Sequence, residues 1–184
     1  VREDPVLEHQ LVERLDLGFH VGHGLRPRDR ATHNLPAVAD QQLLQDCCRG
    51  AGRQVTSTAG DGFAGLKAVL PPPPRRALVL IDPPYEVKQD YERVFHALKE
   101  ALTRFPTGTY ALWYPQLTRL EAHELPQRLK RLPAKSWLHV ALRVSTPAKD
   151  GFGMHGSGMF VLNPPWTLHA TLAEVMPFLV EALG

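Results

Sequence analysis

The sequence predicts an α/β fold in which a mostly parallel sheet ends in an antiparallel hairpin. Between residues 54 and 144, stretches rich in β-branched and aromatic residues alternate with stretches whose apolar residues have helical spacing. This alternation favours parallel strands joined by crossover helices. The last two predicted strands, 136–144 and 158–163, have only a glycine-containing loop between them, so one strand near the edge should run in the reverse direction.

The predicted elements follow one another along residues 40–184. Asp40, Thr118 and Thr167 are the expected N-caps of three helices, and Pro126 should interrupt or end the helix that Thr118 begins. Four prolines at 71–74 exclude a helix there and predict a stiff surface connector. The predicted helices are 41–48, 62–70, 90–105, 118–126 with a basic tail, and 167–183; the predicted strands are 54–58, 78–81, 109–115, 136–144 and 158–163.

Length and composition describe an ordinary globular domain. The chain has 184 residues, enough for one domain with a buried core, and its formal net charge is +2. That small charge is compatible with nucleic acid without indicating it. The only cysteines, Cys47 and Cys48, are adjacent, which excludes a disulfide framework and favours a reducing cytoplasm. No apolar run approaches the roughly 20 residues that cross a bilayer, so no membrane segment is expected.

Residues 1–39 differ from the rest and give no convincing site. His20 and His23 lack a third ligand, so we expect surface histidines and no metal. Gly22-His-Gly24 has neither a strand before it nor a third glycine, which makes it a weak phosphate-loop candidate.

The stretch that carries chemistry is Asp82-Pro-Pro-Tyr85, directly after the apolar run 78–81. The prolines end the strand and present a carboxylate and an aromatic ring where open α/β sheets bind ligands. Methylating the exocyclic amine of a base requires acceptors that hold its N–H groups and direct the nitrogen lone pair. Asp82 and the Pro83 carbonyl are such a pair, and Tyr85 offers a face for an extruded base. Taken alone, these residues are also compatible with a simple Pro-Pro turn, although the acceptor corner is favoured.

The stretch resembles motif IV of the class I S-adenosylmethionine-dependent amino-methyltransferases, which have a Rossmann-like fold with a terminal hairpin. More specifically, residues 40–184 resemble the RlmJ family, bacterial 23S ribosomal RNA adenine-N6 methyltransferases. Four stretches carry the resemblance: Ala59-Gly-Asp-Gly-Phe63, 75–86, 108–115 and 156–166.

The resemblance implies a reaction, its partners and a set of site residues. The cofactor is S-adenosylmethionine, no metal is needed, and the substrate is 23S ribosomal RNA free of the assembled ribosome, acted on by a cytoplasmic monomer. Asp82 is the implied catalytic acceptor and also borders the cofactor, while Pro83, Pro84 and Tyr85 shape the adenine pocket. Asp61 and Gly62 are the implied contacts to the adenine of the cofactor.

Residues 1–39 lack the family's glycine-rich loop and its acidic strand end. We therefore expect residues 1–39 to be a disordered or out-of-frame segment, and 40–184 to be the C-terminal part of a methyltransferase domain that lacks its N-terminal strands. Two alternatives remain: an inactive remnant with residual RNA binding, and an enzyme that methylates DNA adenine or a protein amide. Asn163-Pro-Pro-Trp166 imitates the motif, but we expect a structural turn there, and a solvated helix end at 128–135.

Overall fold

The computed structural model describes residues 60–143, 145–147, 151 and 153–183. The predicted helix 41–48, the strand 54–58 and the segment 1–39 lie outside these residues. The described elements, in chain order, are α1 Gly62–Val69, β1 Leu78–Ile81, α2 Gln89–Arg104, β2 Thr109–Gln116, α3 Leu120–Leu129, β3 Trp137–Arg143, β4 Gly156–Leu162 and α4 Leu168–Leu183.

The described strands form one sheet with the order β1-β2-β4-β3. β1 and β2 are parallel, whereas β4 lies between β2 and β3 and is antiparallel to both. The predicted α/β fold with a terminal antiparallel hairpin is confirmed. One consequence is that the ends of β1, β2 and β3 meet the start of β4 at the same side of the sheet. We call this side the carboxyl edge; it carries Asp82, Gln116, Arg143 and His155.

The core lies between the sheet and a layer of helices in which α2 contacts both α1 and α3. α2 forms because its apolar residues recur at helical spacing, and it buries most of that stripe, with Phe95 only partly buried. Along β2 every second side chain turns to the same face, so Tyr110, Leu112 and Tyr114 are buried. The largest buried side chains include Tyr91, Leu98, Tyr110, Leu125 and Phe160.

Strand β1 is only partly buried, although a run of four apolar residues is typical of a buried strand of a parallel sheet. Leu78 is 72% exposed and Leu80 37% exposed, while Val79 and Ile81 pack against the core. β1 is an edge strand of the described sheet, and its only partner there is β2. The face that carries Leu78 and Leu80 therefore has no layer over it in the part of the chain that the structure describes.

Helix α3 differs from its prediction at both ends. Thr118 does not cap it; the residue before its first turn is Arg119, and the Thr118 hydroxyl donates to the Gly151 carbonyl at 2.6 Å instead. Pro126 does not end it, since the helix continues to Leu129. The missing N–H of Pro126 costs one backbone hydrogen bond, but Pro126, Leu125 and Leu129 are all buried, and that packing offsets the loss.

Helix α4 is apolar but loosely packed. Met176 is its one buried residue among those whose side chains are described, and Val175 and Phe178 are exposed, although the spacing predicts Val175 in the core stripe. No helix in the described ranges is both long enough and apolar enough to cross a membrane.

Gly158 on β4 faces the ring of Tyr114, and a Cβ there would overlap that ring. We predict that Gly158→Ala lowers the free energy of unfolding by about 1–3 kcal/mol, because the buried ring cannot move aside without repacking. Gly65→Ala is the matched control, since nothing lies within 4 Å of its added Cβ. It should raise stability by about 0.5–1 kcal/mol. Urea denaturation measures both, and equal effects of the two substitutions would contradict this account.

Two buried tyrosines of the core differ in their hydroxyl partners. Tyr110 points its hydroxyl at the carbonyls of Ala101 and Phe105, at 3.0 and 2.8 Å. The Tyr91 hydroxyl is buried and has no hydrogen-bond partner within the described residues. We predict that Tyr110→Phe destabilises the protein by about 1 kcal/mol, whereas Tyr91→Phe is neutral or stabilising. Thermal or urea unfolding of the pair is the measurement, and a loss at Tyr91 as large as that at Tyr110 would show that its hydroxyl is satisfied.

Candidate active site

Asp82-Pro-Pro-Tyr85 leaves β1 at the carboxyl edge, as the sequence predicts. Ile81 is the last paired residue and lies opposite Leu112 of β2. Asp82 is half-buried, Pro83 is buried and Pro84 is exposed. Because neither proline has an N–H to donate, the ladder ends here, and the Asp82 carboxylate lies at the boundary between core and surface.

Tyr85 ties this corner to the neighbouring strand. Its hydroxyl donates to the carbonyl of Trp113 on β2 at 3.0 Å, and its ring centroid lies 4.7 Å from that of Tyr91. The ring is only 2% exposed. In this arrangement its face is covered, so the stacking role that the sequence suggests requires the ring to turn outward.

The backbone at Tyr85 is unusual as well. Its φ of 52° lies in the left-handed region, which is rare for a large side chain and costs of order 1–3 kcal/mol. Burial of the ring and the bond to Trp113 hold it there. A guanidinium nitrogen of Arg119 also lies 3.5 Å from the Tyr85 carbonyl, a long contact that brings the start of α3 against the corner.

The electrostatics keep the Tyr85 hydroxyl neutral. Burial raises its pKa well above the usual value, and the nearby Tyr91 and Asp82 raise it further. Burial likewise raises the pKa of Tyr91, an effect that the positive charge of Arg119 partly opposes. Tyr85 therefore serves as a hydrogen-bond donor beside the Asp82 carboxylate, not as a base.

Asp61 caps helix α1. One carboxylate oxygen accepts from the backbone amides of Phe63 and Ala64 at 2.9 and 3.2 Å. The other forms an ion pair with Arg93 in α2. A carboxylate has about four lone-pair sites, so one further donor can still be accepted, and the side chain is 50% exposed. Burial raises the pKa of this carboxyl, but the amide hydrogen bonds and the Arg93 charge outweigh that effect and lower it.

The Arg93 contact also locates Asp61 relative to Asp82. Arg93 lies in the first turns of α2, the helix that starts a few residues beyond Tyr85. Asp61 and Gly62 therefore lie on the side of the sheet where β1 ends. The structure thus places Asp61 beside the first turns of α2, the helix that follows the predicted acceptor residues.

Asn163 is confirmed as a structural turn. Its amide nitrogen donates to the carbonyls of Pro106 and Gly108 at 2.9 and 2.8 Å, and its side-chain oxygen accepts from the Lys135 amide at 2.9 Å. Since β4 runs in reverse, Asn163 lies at the opposite edge from Asp82. A second acceptor corner is thereby excluded by both contacts and topology.

Four residues at the carboxyl edge escaped the sequence analysis: Arg119, Gln116, Arg143 and His155. Each lies at or just beyond the end of β2 or β3, or just before β4. Their sequence signal is a polar residue at the end of a predicted strand, but this signal identifies the carboxyl edge only when the direction of each strand is known. Within the described ranges, no group of three side chains that could hold a metal ion is found.

Comparison with known proteins identifies the family. Residues 21–184 match the family model described as "Ribosomal RNA large subunit methyltransferase D, RlmJ". A protein of Haemophilus influenzae named ribosomal RNA large subunit methyltransferase J is 42% identical over 159 residues, which are 86% of this chain and 56% of that protein. The protein of the same name from Escherichia coli K12 is 46% identical over 123 residues, which are 67% of this chain and 44% of that protein.

A solved structure agrees. A crystal structure of a Legionella pneumophila protein, assigned to the family model DUF519, superposes with a TM-score of 0.59 and 34% sequence identity. The match covers 65% of this chain and 43% of that one. The chain spans about half the length of the curated relatives it matches. The resemblance carried by the strand ends is confirmed, and the chain belongs to the RlmJ family of ribosomal RNA large subunit methyltransferases.

Proposed function

We propose that this chain belongs to an enzyme that transfers a methyl group from S-adenosylmethionine to the N6 amine of an adenine in 23S ribosomal RNA. The observation that carries the proposal is the Asp82 carboxylate, half-buried on a Pro-Pro turn at the carboxyl edge. The family supplies ribosomal RNA methylation, and the chemistry of this corner suits an exocyclic amine.

The corner acts by accepting hydrogen bonds. An adenine N6 lone pair is delocalised into the ring, so the nitrogen attacks only if its two N–H groups are held and its lone pair is directed at the donor. The Asp82 carboxylate accepts a hydrogen bond from one N–H of the amine, and the Pro83 carbonyl accepts a hydrogen bond from the other. The proline ring restricts the direction of that carbonyl. Once the nitrogen carries the new methyl group it becomes strongly acidic, and Asp82 is placed to receive the proton that leaves.

Pro83, Pro84 and Tyr85 shape the pocket for the flipped base. Pro84 is exposed and needs no rearrangement to contact a ring. Tyr85 contacts the base with its face only after the ring leaves its buried position and its bond to the Trp113 carbonyl breaks, at a cost of about 3 kcal/mol. Stacking returns about 1–3 kcal/mol for each base, which offsets most of that cost during substrate binding.

The cofactor fits the described residues on its adenine side. S-adenosylmethionine supplies the electrophilic methyl group. Asp61 retains one lone-pair site for the adenine amine, and Gly62 lets the backbone approach closely because it has no side chain. Asp82 borders both the donor and the acceptor, as methyl transfer between them requires.

For the whole protein we propose ribosomal RNA outside the assembled ribosome as substrate, a monomeric state and a cytoplasmic location. The competing proposal is a protein without methyl-transfer activity that retains RNA binding. Titration with S-adenosylmethionine by calorimetry separates the two proposals, since such a protein should show no cofactor binding at millimolar concentration.

We predict that Asp82→Ala and Asp82→Asn lower methyl transfer at least 100-fold, the loss typical of removing a group that moves a proton. Incorporation of labelled methyl groups into 23S ribosomal RNA transcripts is the measurement, with DNA and protein as comparison substrates. Glu174→Gln, which removes an exposed carboxylate from α4, is the matched control. Normal turnover by either Asp82 variant would end the proposed mechanism.

We predict that Asp61 has two separable roles. Asp61→Ala should destabilise α1 by about 0.5–2 kcal/mol, whereas Asp61→Asn retains the cap and should cost little. If the carboxylate also accepts from the cofactor, both variants should weaken S-adenosylmethionine binding about tenfold, the value of a hydrogen bond to a charged group. Arg93→Gln is the control, since it breaks the ion pair but leaves the carboxylate. Unchanged cofactor affinity in Asp61→Asn would remove Asp61 from the cofactor site.

A further inference from the structure

We propose that the turn Asn163-Pro-Pro-Trp166 and the basic loops beside it form a contact surface for single-stranded ribosomal RNA, in which an unpaired base stacks on Trp166. The turn lies at the edge of the sheet where β1, β2 and β3 begin and β4 ends, opposite Asp82. We call this side the amino edge. The inference rests on the proposed function for its substrate class, but its evidence is separate from that of the Asp82 corner.

Trp166 is the most exposed large apolar side chain in the described ranges. It is 93% exposed, whereas Leu78, the next in order, is 72% exposed. Tryptophan is highly buried on average, because its ring has a large apolar area. Here the ring takes no part in the core, and almost all of it is open to a planar partner.

The turn that carries Trp166 is fixed by its first residue. Asn163 has a φ of 51°, in the left-handed region that asparagine tolerates better than most residues, and its side chain bonds three backbone groups. Its backbone carbonyl accepts from the Thr109 hydroxyl at 2.9 Å, and its backbone N–H donates to the Ser136 carbonyl at 2.9 Å. The two prolines that follow restrict the backbone up to the tryptophan. A ring presented by such a turn loses little conformational freedom on binding.

The loops at the amino edge are basic in sequence. They are the loops that lead into β1, β2 and β3 and the segment that follows β4, residues 70–77, 105–108, 130–136 and 163–167. They contain no Asp or Glu and five basic residues: Arg75, Arg76, Lys130, Arg131 and Lys135. All of these except Lys130 are exposed. Loops of one charge sign attract a polyanion over about one Debye length, roughly 8–10 Å at moderate salt.

Hydrogen bonds join these loops into one surface around Asn163. On one side, the Asn163 side-chain oxygen accepts from the Lys135 N–H at 2.9 Å. On the other side, the Thr109 hydroxyl donates to the Asn163 carbonyl. The Thr109 N–H donates in turn to the Ala77 carbonyl, next to Arg76, at 3.1 Å. The starts of β1 and β3 are three strand spacings apart, roughly 14 Å, so basic residues flank the tryptophan turn on both sides.

This arrangement fits single-stranded RNA better than a protein partner. Proteins that bind single strands combine positive charges that follow the phosphates with aromatic rings on which bases stack. Lysine is depleted in protein–protein interfaces, but here Lys135 borders the turn. A second lysine, Lys130, is held at the same edge, because its Nζ lies 4.8 Å from the ring centroid of Trp137, the first residue of β3.

The amino edge is remote from the Asp82 corner. β2 crosses the sheet from one edge to the other through Thr109–Gln116, which is roughly 23 Å at about 3.3 Å for each step. A base on Trp166 is therefore several nucleotides away from the flipped adenine, or belongs to another part of the folded RNA. Phosphate contacts at such a place add affinity and fix orientation without reading the sequence.

Loss of stacking tests the role of Trp166. The full chain is titrated with a fluorescently labelled single-stranded oligoadenylate, without cofactor, and anisotropy gives the dissociation constant from low to physiological salt. Trp166→Ala should weaken binding about fivefold or more, as expected for loss of one base-stacking ring, and Trp166→Phe should retain most of the affinity. The matched control is Phe178→Ala, which removes a ring that is 66% exposed on α4 and should leave the affinity unchanged. Equal affinities of Trp166→Ala and Phe178→Ala would overturn the proposal.

Charge removal tests the phosphate contacts. The double variant Arg76→Gln with Lys135→Gln should reduce the slope of log affinity against log salt by about 1.4, at about 0.7 for each phosphate contact to a single strand. Lys99→Gln removes the charge of an exposed lysine on α2 and should leave the slope unchanged. An unchanged slope in the double variant overturns the proposal. So does a change of oligomeric state in Trp166→Ala, measured by ultracentrifugation, with unchanged RNA affinity, since the surface would then bind protein. Because no methyl transfer is measured, failure of the proposed reaction would leave these results unaffected.

Discussion

The candidate site depends on how β1 ends. Two consecutive prolines remove two backbone donors, so the ladder with β2 cannot continue beyond Ile81. The chain must leave the sheet at once, yet Tyr85 returns its hydroxyl to the Trp113 carbonyl, three residues before the end of β2. One hydrogen bond, from Tyr85 to β2, therefore holds the segment after β1 against the neighbouring strand. Asp82 lies in this segment, and its position follows from those two anchors.

The reversed strand β4 has an equally specific effect. Because β4 runs antiparallel to β2 and β3, its first residue lies at the same edge as the ends of those strands. Arg143 at the end of β3 and Asp82 just after β1 thus share an edge without being near in sequence. The same reversal sends Asn163-Pro-Pro-Trp166 to the opposite edge, where the Asn163 amide binds three backbone groups. Two similar sequences acquire unlike roles because their strands run in opposite directions.

Much of the fold could be predicted from the hydrophobic periodicity and from the positions of residues that end helices and strands. Strand β1 and helix α2 were placed within one residue, since an apolar run before Pro-Pro and a long amphipathic stripe are strong local signals. Local signals failed where tertiary contacts decide. Thr118 is a good cap in isolation, but it bonds to the distant Gly151 carbonyl; Pro126 is a helix breaker in isolation, but burial of its neighbours retains the turn. The exposure of Leu78 depends on which element packs beside β1, and the four apolar residues of the strand do not specify that element.

The site was predictable in chemistry and less so in geometry. An Asp-Pro-Pro-Tyr motif indicates an acceptor corner, but no local pattern indicates that Tyr85 is buried with a φ of 52°. Turning the ring outward loses about 2 kcal/mol of burial and about 1 kcal/mol for the hydroxyl bond. Stacking on a base restores about 1–3 kcal/mol. These terms nearly cancel, so within the proposed reaction the ring stays buried without RNA and moves out at little cost when a base arrives.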